Sequence, residues 1–204
     1  MKYFNENANM KKKKITLIGI GGAGNNAINR VINNNPHKIE FIAVNTDQSE
    51  LDLCNCHNKL LIGQTLQGHG AMGQAELGRK AAEESSSKIR EMLKGIDVLI
   101  IRCGLGRGTG SGASSVVSRV AKELGILTIA VVTKPFEFED VTYIQNANEQ
   151  INELQKEVDI LLAVSNQMVL KTVERHTPLP EALDKIELVC WNMINQLIER
   201  LEVV

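Results

Sequence analysis

The stretch from Gly104 to Gly112 combines the residue types and the spacing of an anion-binding loop. Five glycines occupy its nine positions, and it follows an apolar run, residues 98–101, that predicts a buried strand. Because glycine has no Cβ, successive backbone N–H groups can surround an anion, and the first turn of a following helix adds unpaired N–H groups. Thr109 and Ser111 add hydroxyl donors, whereas Arg107 either pairs with phosphate or projects to solvent. The stretch therefore predicts a phosphate site.

A second glycine-rich stretch, residues 19–24, follows the first apolar run of the chain. Two such stretches at separate strand ends suggest a polyphosphate held from two sides. The spacing Gly19-x-Gly21-x-x-Gly24 also fits the dinucleotide fingerprint, for which Asp47 nearly supplies the acidic residue, so a Rossmann dinucleotide-binding protein is an alternative. Neither stretch is followed by Lys-Ser or Lys-Thr, which excludes a Walker phosphate-binding loop.

Apolar runs and helical patterns alternate along the chain. The predicted strands are residues 15–20, 41–44, 60–62, 98–101, 127–132 and 160–164. The predicted helices follow the first glycine-rich stretch to about residue 32 and cover about residues 74–94, 113–124, 142–156 and those from 180 onward. Alternating strands and helices predict an α/β fold with a doubly wound parallel sheet, which binds ligands at the carboxyl ends of its strands.

Composition and charge restrict the class of protein. The chain has 204 residues, 43% of them hydrophobic, which is enough for one core. A net charge of −1 and 3% aromatic residues argue against a nucleic-acid-binding surface. Residues 1–13 predict a flexible basic tail, and the short, glycine-broken apolar run after it is neither a secretory signal nor a transmembrane segment. We therefore expect a cytoplasmic protein.

The chain has four cysteines, Cys54, Cys56, Cys103 and Cys190. The stretch Cys54-Asn55-Cys56-His57 raises the alternative of a metal site, but it lacks a second ligand pair at zinc spacing. We expect free thiols in a reducing compartment.

Longer motifs resemble the tubulin and FtsZ family. Residues 106–112, Gly-Arg-Gly-Thr-Gly-Ser-Gly, are similar to its glycine-rich signature. Further stretches agree with FtsZ in particular, namely residues 18–27, 41–47, 76–85, 121–128 and 132–139. The resemblance extends over about residues 14–200, which correspond to the nucleotide-binding half of FtsZ and its long central helix.

The resemblance implies GTP or GDP as the ligand, together with Mg²⁺. Residues 22–26 and 108–110 would surround the phosphates, residues 71–73 would approach the γ-phosphate, and Glu139 would contact the ribose. The full set of implied nucleotide-binding residues is Gly21, Gly22, Ala23, Gly24, Asn25, Asn26, Asn45, Ala71, Met72, Gly73, Gly106, Arg107, Gly108, Thr109, Gly110, Ser111, Pro135, Glu139, Tyr143, Asn166, Leu183 and Glu187. Asp47 and Gln48 would lie near the magnesium ion, whose shell is completed by waters and phosphates.

Four positions depart from the FtsZ pattern. Tyr143 stands where FtsZ has an arginine, and Arg107 replaces a glycine of the signature. Leu183 takes the place of the phenylalanine that stacks on guanine, and Glu187 falls on the residue that recognises the base. These departures leave open a second alternative, an FtsZ-like scaffold that binds no nucleotide.

The last predicted helix carries an acid within an apolar arc. At about 100° per residue, Glu187 lies among apolar residues that include Ile186 and Cys190. A carboxylate on a packed face is costly unless it is hydrogen-bonded, so Glu187 meets a ligand or a specific donor, or else lies at the rim and reaches water. The arc spans roughly 200° by the same helical arithmetic and includes Trp191. We therefore expect a homodimer or an FtsZ-type partner to bind through this helix, with Trp191 near the contact.

The resemblance also gives an expectation about domains and catalysis. Residues 14–179 would form the GTP-binding domain and residues 180–204 a long helix, with the second FtsZ domain absent. In FtsZ, the water-positioning acids come from a loop that follows this helix and completes the site of the next subunit. We therefore expect very slow GTP hydrolysis by the chain alone, with Asp47 as the possible internal catalytic group.

Overall fold

A parallel six-stranded sheet forms the centre of the protein. The computed structural model describes residues 13–202. Its strands are β1 (Ile15–Ile20), β2 (Glu40–Asn45), β3 (Asn58–Leu61), β4 (Val98–Gly104), β5 (Leu127–Lys134) and β6 (Ile160–Ser165). They lie in the order β3-β2-β1-β4-β5-β6, and each neighbouring pair is parallel. The predicted doubly wound α/β fold is confirmed.

Seven α-helices of the described residues cover the two faces of this sheet. They are α1 (Gly21–Val31), α2 (Gln48–Asp52), α3 (Ala75–Glu84), α4 (Ser86–Leu93), α5 (Thr109–Glu123), α6 (Val141–Leu154) and α7 (Leu179–Glu202). Successive strand residues point to opposite faces, so Leu17 packs with α1, α2 and α7, whereas Ile18 packs with α3 to α6. Because both faces are covered, every residue of β1 is buried, as is typical of a parallel sheet.

Both glycine-rich stretches enter a helix earlier than predicted. Helix α1 begins at Gly21, and α5 begins at Thr109 instead of at the predicted Ala113. The reason is close packing: a Cβ on Gly110 would lie 2.5 Å from the carbonyl oxygen of Gly104. Such tertiary contacts outweigh the low intrinsic helix propensity of glycine, on which the predicted boundary depended.

The helix predicted over residues 74–94 is in fact two helices, α3 and α4. They meet at the buried Ser85, which has φ −99° and ψ 9°, outside the helical region. The Ser85 hydroxyl oxygen accepts a hydrogen bond from the backbone N–H of Gly63 at 3.0 Å, so the break is fixed by a tertiary contact.

The strand boundaries differ less from the predicted ones. The exception is β4, which continues through Arg102 to Gly104 instead of ending at Ile101.

Helix α7 lies on the α1 face of the sheet. The expectation that Trp191 lies near the contact with a partner is wrong. The Trp191 side chain is only 4% exposed, and its ring centroid lies 6.3 Å from that of Phe41 in β2. The sheet therefore covers the flank of the arc that holds Trp191. Leu188 and Val189 of α7 remain exposed, and association through this helix stays a prediction.

The described part of the chain contains no helix that is long and apolar enough to cross a membrane. The predicted basic tail, residues 1–13, lies outside the described residues except for Lys13, whose Nζ donates a hydrogen bond to the Leu201 carbonyl oxygen at 3.4 Å.

Candidate functional site

A cleft of about 550 Å³ opens at the carboxyl edge of the sheet. Its base is formed by residues at the ends of four strands, Ile20, Asn45, Gly104 and Thr133. The edge includes the switch point between β1 and β4, where α1 leaves toward one face of the sheet and α5 toward the other. Open α/β sheets bind ligands at this kind of crevice.

The N-termini of α1 and α5 meet in the cleft. A Cβ on Gly21 would lie 2.9 Å from the backbone nitrogen of Gly110, so only glycine permits the two first turns to lie this close. Neither helix has a side-chain N-cap, whereas Asp47 caps α2 and Asp140 caps α6. The first-turn N–H groups of α1 and α5 are therefore available to an anion, and both helix dipoles favour one.

Most of the predicted site residues line this one cleft. They are Gly21, Gly22, Ala23, Asn26, Asn45, Asp47, Ala71, Met72, Gly73, Arg107, Gly108, Thr109, Gly110, Pro135, Glu139, Asn166, Leu183 and Glu187. The structure thus brings together residues that are separated by more than 160 positions in the sequence, since every strand of the parallel sheet ends at the same edge. The predicted residues that do not line the cleft are Gly24, Asn25, Gln48, Gly106, Ser111 and Tyr143.

Two of these six, Gly24 and Asn25, lie beneath the cleft, where they pack α1 against the sheet. A Cβ on Gly24 would lie 2.4 Å from the Arg102 carbonyl oxygen, so this glycine permits the close approach of α1 to β4. The buried Asn25 side chain donates a hydrogen bond to the Gly19 carbonyl oxygen at 2.9 Å. Gly24 and Asn25 thus hold α1 close to β1 and β4 and do not line the cleft.

Three others shape the loop before α5. The Ser111 hydroxyl oxygen accepts a hydrogen bond from the Gly106 backbone N–H at 2.7 Å. Gly106 has φ +104°, and a Cβ there would lie 2.6 Å from the Tyr143 carbonyl oxygen. Glycine is required at this position for both conformation and space.

Arg107 bridges the mouth of the cleft. Its Nη2 donates to a carboxylate oxygen of Glu139 at 2.9 Å, and its guanidinium lies 4.8 Å from the centroid of the Tyr143 ring. Glu139 also accepts a hydrogen bond from the Phe136 backbone N–H at 2.9 Å. Arg107 thus places a positive charge beside Tyr143, where the sequence resemblance implied an arginine.

A polar network connects the first glycine turn to α2. The Asn45 side chain donates to Asn25 at 2.8 Å and to Glu50 at 3.0 Å. The Asp47 carboxylate accepts a hydrogen bond from the Glu50 backbone N–H at 3.1 Å and so caps α2. The predicted Gln48 instead donates to Asp52 at 2.7 Å and does not line the cleft.

Glu50 is a cleft residue that the sequence analysis missed. The signal that could have found it is the spacing of Asp47 and Glu50, an N-cap residue followed three positions later by an acid in the first helical turn. Hard cations take oxygen ligands, and Mg²⁺ bound with a nucleotide usually uses one or two carboxylates. The carboxylates of Asp47 and Glu50 fit such an ion in place of the predicted Gln48.

A buried ion pair lies under the end of the cleft that α7 forms. Arg102 in β4 is fully buried, and its Nε donates to a carboxylate oxygen of Glu187 at 3.1 Å. Its Nη2 donates to the second carboxylate oxygen, and its Nη1 donates to the Cys103 carbonyl oxygen at 2.7 Å. Of the alternatives for Glu187, the specific donor is thus observed. Arg102 is not among the predicted site residues, because the predicted strand ended one residue before it.

Electrostatics keeps Arg102 charged. Burial lowers the pKa of Arg102, but Glu187, together with smaller contributions from Cys190 and Cys103, raises it, so the net shift is upward. Burial raises the pKa of the Cys103 and Cys190 thiols to about 11. Both thiols are therefore neutral at physiological pH. All four cysteines are free and buried.

The fold and cleft define a doubly wound α/β domain with glycine-rich helix N-termini at its switch point. Residues 14–174 match the model of the tubulin/FtsZ family, GTPase domain. The chain belongs to the tubulin/FtsZ family, and the resemblance seen in its sequence is confirmed.

Solved structures of this family match nearly the whole chain. An FtsZ from M. jannaschii, described as an empty dimer, is 36% identical with a TM-score of 0.87, and the match covers 94% of this chain and 56% of that one. CetZ2 from Haloferax volcanii, a GTPγS-bound protofilament, is 25% identical with a TM-score of 0.82 over 93% of this chain and 59% of its own. The GDP-bound CetZ1 monomer of that organism is 25% identical with a TM-score of 0.79 over 88% and 58%. This chain spans little more than half the length of these relatives.

Proposed function

We propose that the protein binds a guanine nucleotide, GTP or GDP, together with Mg²⁺ in the cleft. The observation that carries this proposal is the meeting of two helix N-termini, those of α1 and α5, neither of which is capped by a side chain. Together they offer unpaired N–H groups to a polyphosphate from two sides. Membership of the tubulin/FtsZ family supports the choice of nucleotide.

The proposed orientation places the phosphates against the two glycine turns and the base against α7. Leu183 and Glu187 are one helical turn apart on α7 and line the same end of the cleft as Asn166. Each Glu187 carboxylate oxygen accepts from Arg102 and keeps a further lone pair. A guanine base presents N–H donors along one edge, so it suits a carboxylate that can only accept.

In this proposal Asp47 and Glu50 hold the magnesium ion on the side of the first glycine turn. When bound, Mg²⁺ offsets the charge of the phosphates and withdraws electron density from them. The residues of the chain bind and orient the nucleotide: the first turns of α1 and α5 hold the phosphates, and Glu139 and Pro135 approach the ribose.

Calorimetric titration with GTP, ATP and NAD tests this function. We expect GTP to bind most tightly, and we expect Ala23→Asp to weaken GTP binding at least about tenfold, because it adds a negative charge beside the phosphates. Ala23 is exposed in the first turn of α1, where aspartate is well tolerated, so the fold is retained. The neutral variant Ala23→Ser is the matched control and should bind like the wild type.

Two results would overturn the proposed function. Tighter binding of NAD than of GTP would favour a dinucleotide-binding protein. Absence of GTP binding at millimolar concentration would favour a scaffold that binds no nucleotide.

We also propose that the chain alone hydrolyses GTP slowly. Phosphoryl transfer needs a positioned water and stabilised charge. Glu139 and Glu187 are held in ion pairs, and Asp47 and Glu50 are assigned to the magnesium ion, so the described residues of the cleft leave no acid to position the water. Phosphate release by the wild type should be slow at every protein concentration. Rapid hydrolysis that does not depend on protein concentration would instead show that an internal group of the chain does the work.

A further inference from the structure

Ion pairs do not balance all the charges of the cleft. Three pairs involve its charged lining residues, namely Glu139–Arg107, Glu187–Arg102 and Asp184–Arg30. Asp47 and Glu50 also line the cleft, and within residues 13–202 neither takes part in an ion pair. The unbalanced charge of the cleft is therefore negative, which is the wrong sign for a polyphosphate alone.

The Glu50 carboxylate lies against the first turn of α1. A Cβ on Gly22 would be 2.7 Å from Glu50 Oε2, and the same oxygen accepts a hydrogen bond from Asn45 Nδ2 at 3.0 Å. Because the N-cap position of α1 is the apolar Ile20, the Glu50 carboxylate is an anion beside an otherwise uncapped helix N-terminus. A phosphate held by that turn would lie close to this carboxylate.

We propose that Glu50 makes polyphosphate binding in this cleft dependent on a divalent cation, an inference that rests on the proposed function. Without a cation, the carboxylate and the phosphate are like charges at one helix terminus and repel each other. With a divalent cation between them, Glu50 and Asp47 are oxygen donors that balance its charge, and the repulsion is removed. Glu50 therefore discriminates between the metal-free and the metal-bound forms of the same nucleotide.

The test compares GTP affinity in excess Mg²⁺ with GTP affinity in excess EDTA. In Glu50→Gln, we expect the GTP affinity in EDTA to rise about tenfold, while the GTP affinity in Mg²⁺ is equal or lower. The ratio of the affinity in Mg²⁺ to the affinity in EDTA therefore falls about tenfold. Asp52→Asn is the matched control, since it removes the same charge from the same short helix. The Asp52 carboxylate accepts a hydrogen bond from Gln48 and does not line the cleft. The affinity ratio of Asp52→Asn should therefore equal that of the wild type.

A second measurement uses pyrophosphate in EDTA, which reports on the phosphate site without the base. Pyrophosphate should raise the thermal unfolding midpoint of Glu50→Gln more than those of the wild type and Asp52→Asn. If all three proteins bind GTP with the same dependence on Mg²⁺, this inference fails and the proposed function stands. If none binds GTP with or without Mg²⁺, the proposed function fails and this inference fails with it.

Discussion

Glu187→Ala is expected to lower the free energy of unfolding by about 3–5 kcal/mol. The substitution removes the partner of Arg102, whose side chain is only 1% exposed. An uncompensated guanidinium inside the sheet loses both its Coulomb partner and two of its hydrogen bonds. Urea denaturation followed by far-ultraviolet circular dichroism measures the loss.

Two variants separate this effect from a general weakening of α7. Glu181→Ala removes an exposed acid that pairs with Lys185 at 3.9 Å in the same helix, and it should cost no more than about 0.5 kcal/mol. The double variant Arg102→Met with Glu187→Leu replaces the pair by apolar side chains and should regain most of the lost stability. If Glu187→Ala were as stable as Glu181→Ala, the ion pair would have no structural importance.

Gly112→Ala is expected to destabilise the protein by at least about 2 kcal/mol, although alanine normally stabilises a helix by about 1 kcal/mol over glycine. A Cβ at position 112 would lie 1.9 Å from the Ala75 carbonyl oxygen and 2.4 Å from the Arg79 backbone nitrogen. Both neighbours are backbone atoms of α3, so α3 would have to move away from α5. Thermal unfolding of the purified variant gives the measurement.

Gly125→Ala is the control for this second prediction. Gly125 has φ +72°, and a Cβ there would meet no atom within 4 Å, so alanine causes backbone strain alone and should cost roughly 1 kcal/mol. A Gly112→Ala variant that is as stable as the wild type would show that α3 and α5 do not pack as closely as described.

The strand pattern and the placement of the site could be predicted from the sequence because they depend on local signals. Apolar runs marked all six strands within a few residues, and the parallel order brought the glycine-rich stretches to one edge. The helix starts at Gly21 and Thr109 could not be predicted in this way. Glycine disfavours helix in isolation, and only the packing of the two turns against each other makes it the suitable residue.

The missed contacts are those between segments that are distant in the sequence. Ser85 ends α3 because it binds the backbone of Gly63, and Trp191 is buried because Phe41 lies opposite it. Arg102 follows an apolar run and has its partner on α7, so no local pattern marks it, although the apolar arc of α7 marks Glu187. Glu50 has a local signal, but only the position of Gly22 shows what its carboxylate contacts.

The Arg102–Glu187 pair also sets the order of events during synthesis. Glu187 follows Arg102 by 85 residues, so the ribosome completes β4, β5 and β6 before the counter-charge exists. Arg102 lies on the face of the sheet that α7 covers, so this face is incomplete in a nascent chain that ends before α7. Its packing is completed only when α7 supplies both the covering helix and the counter-charge.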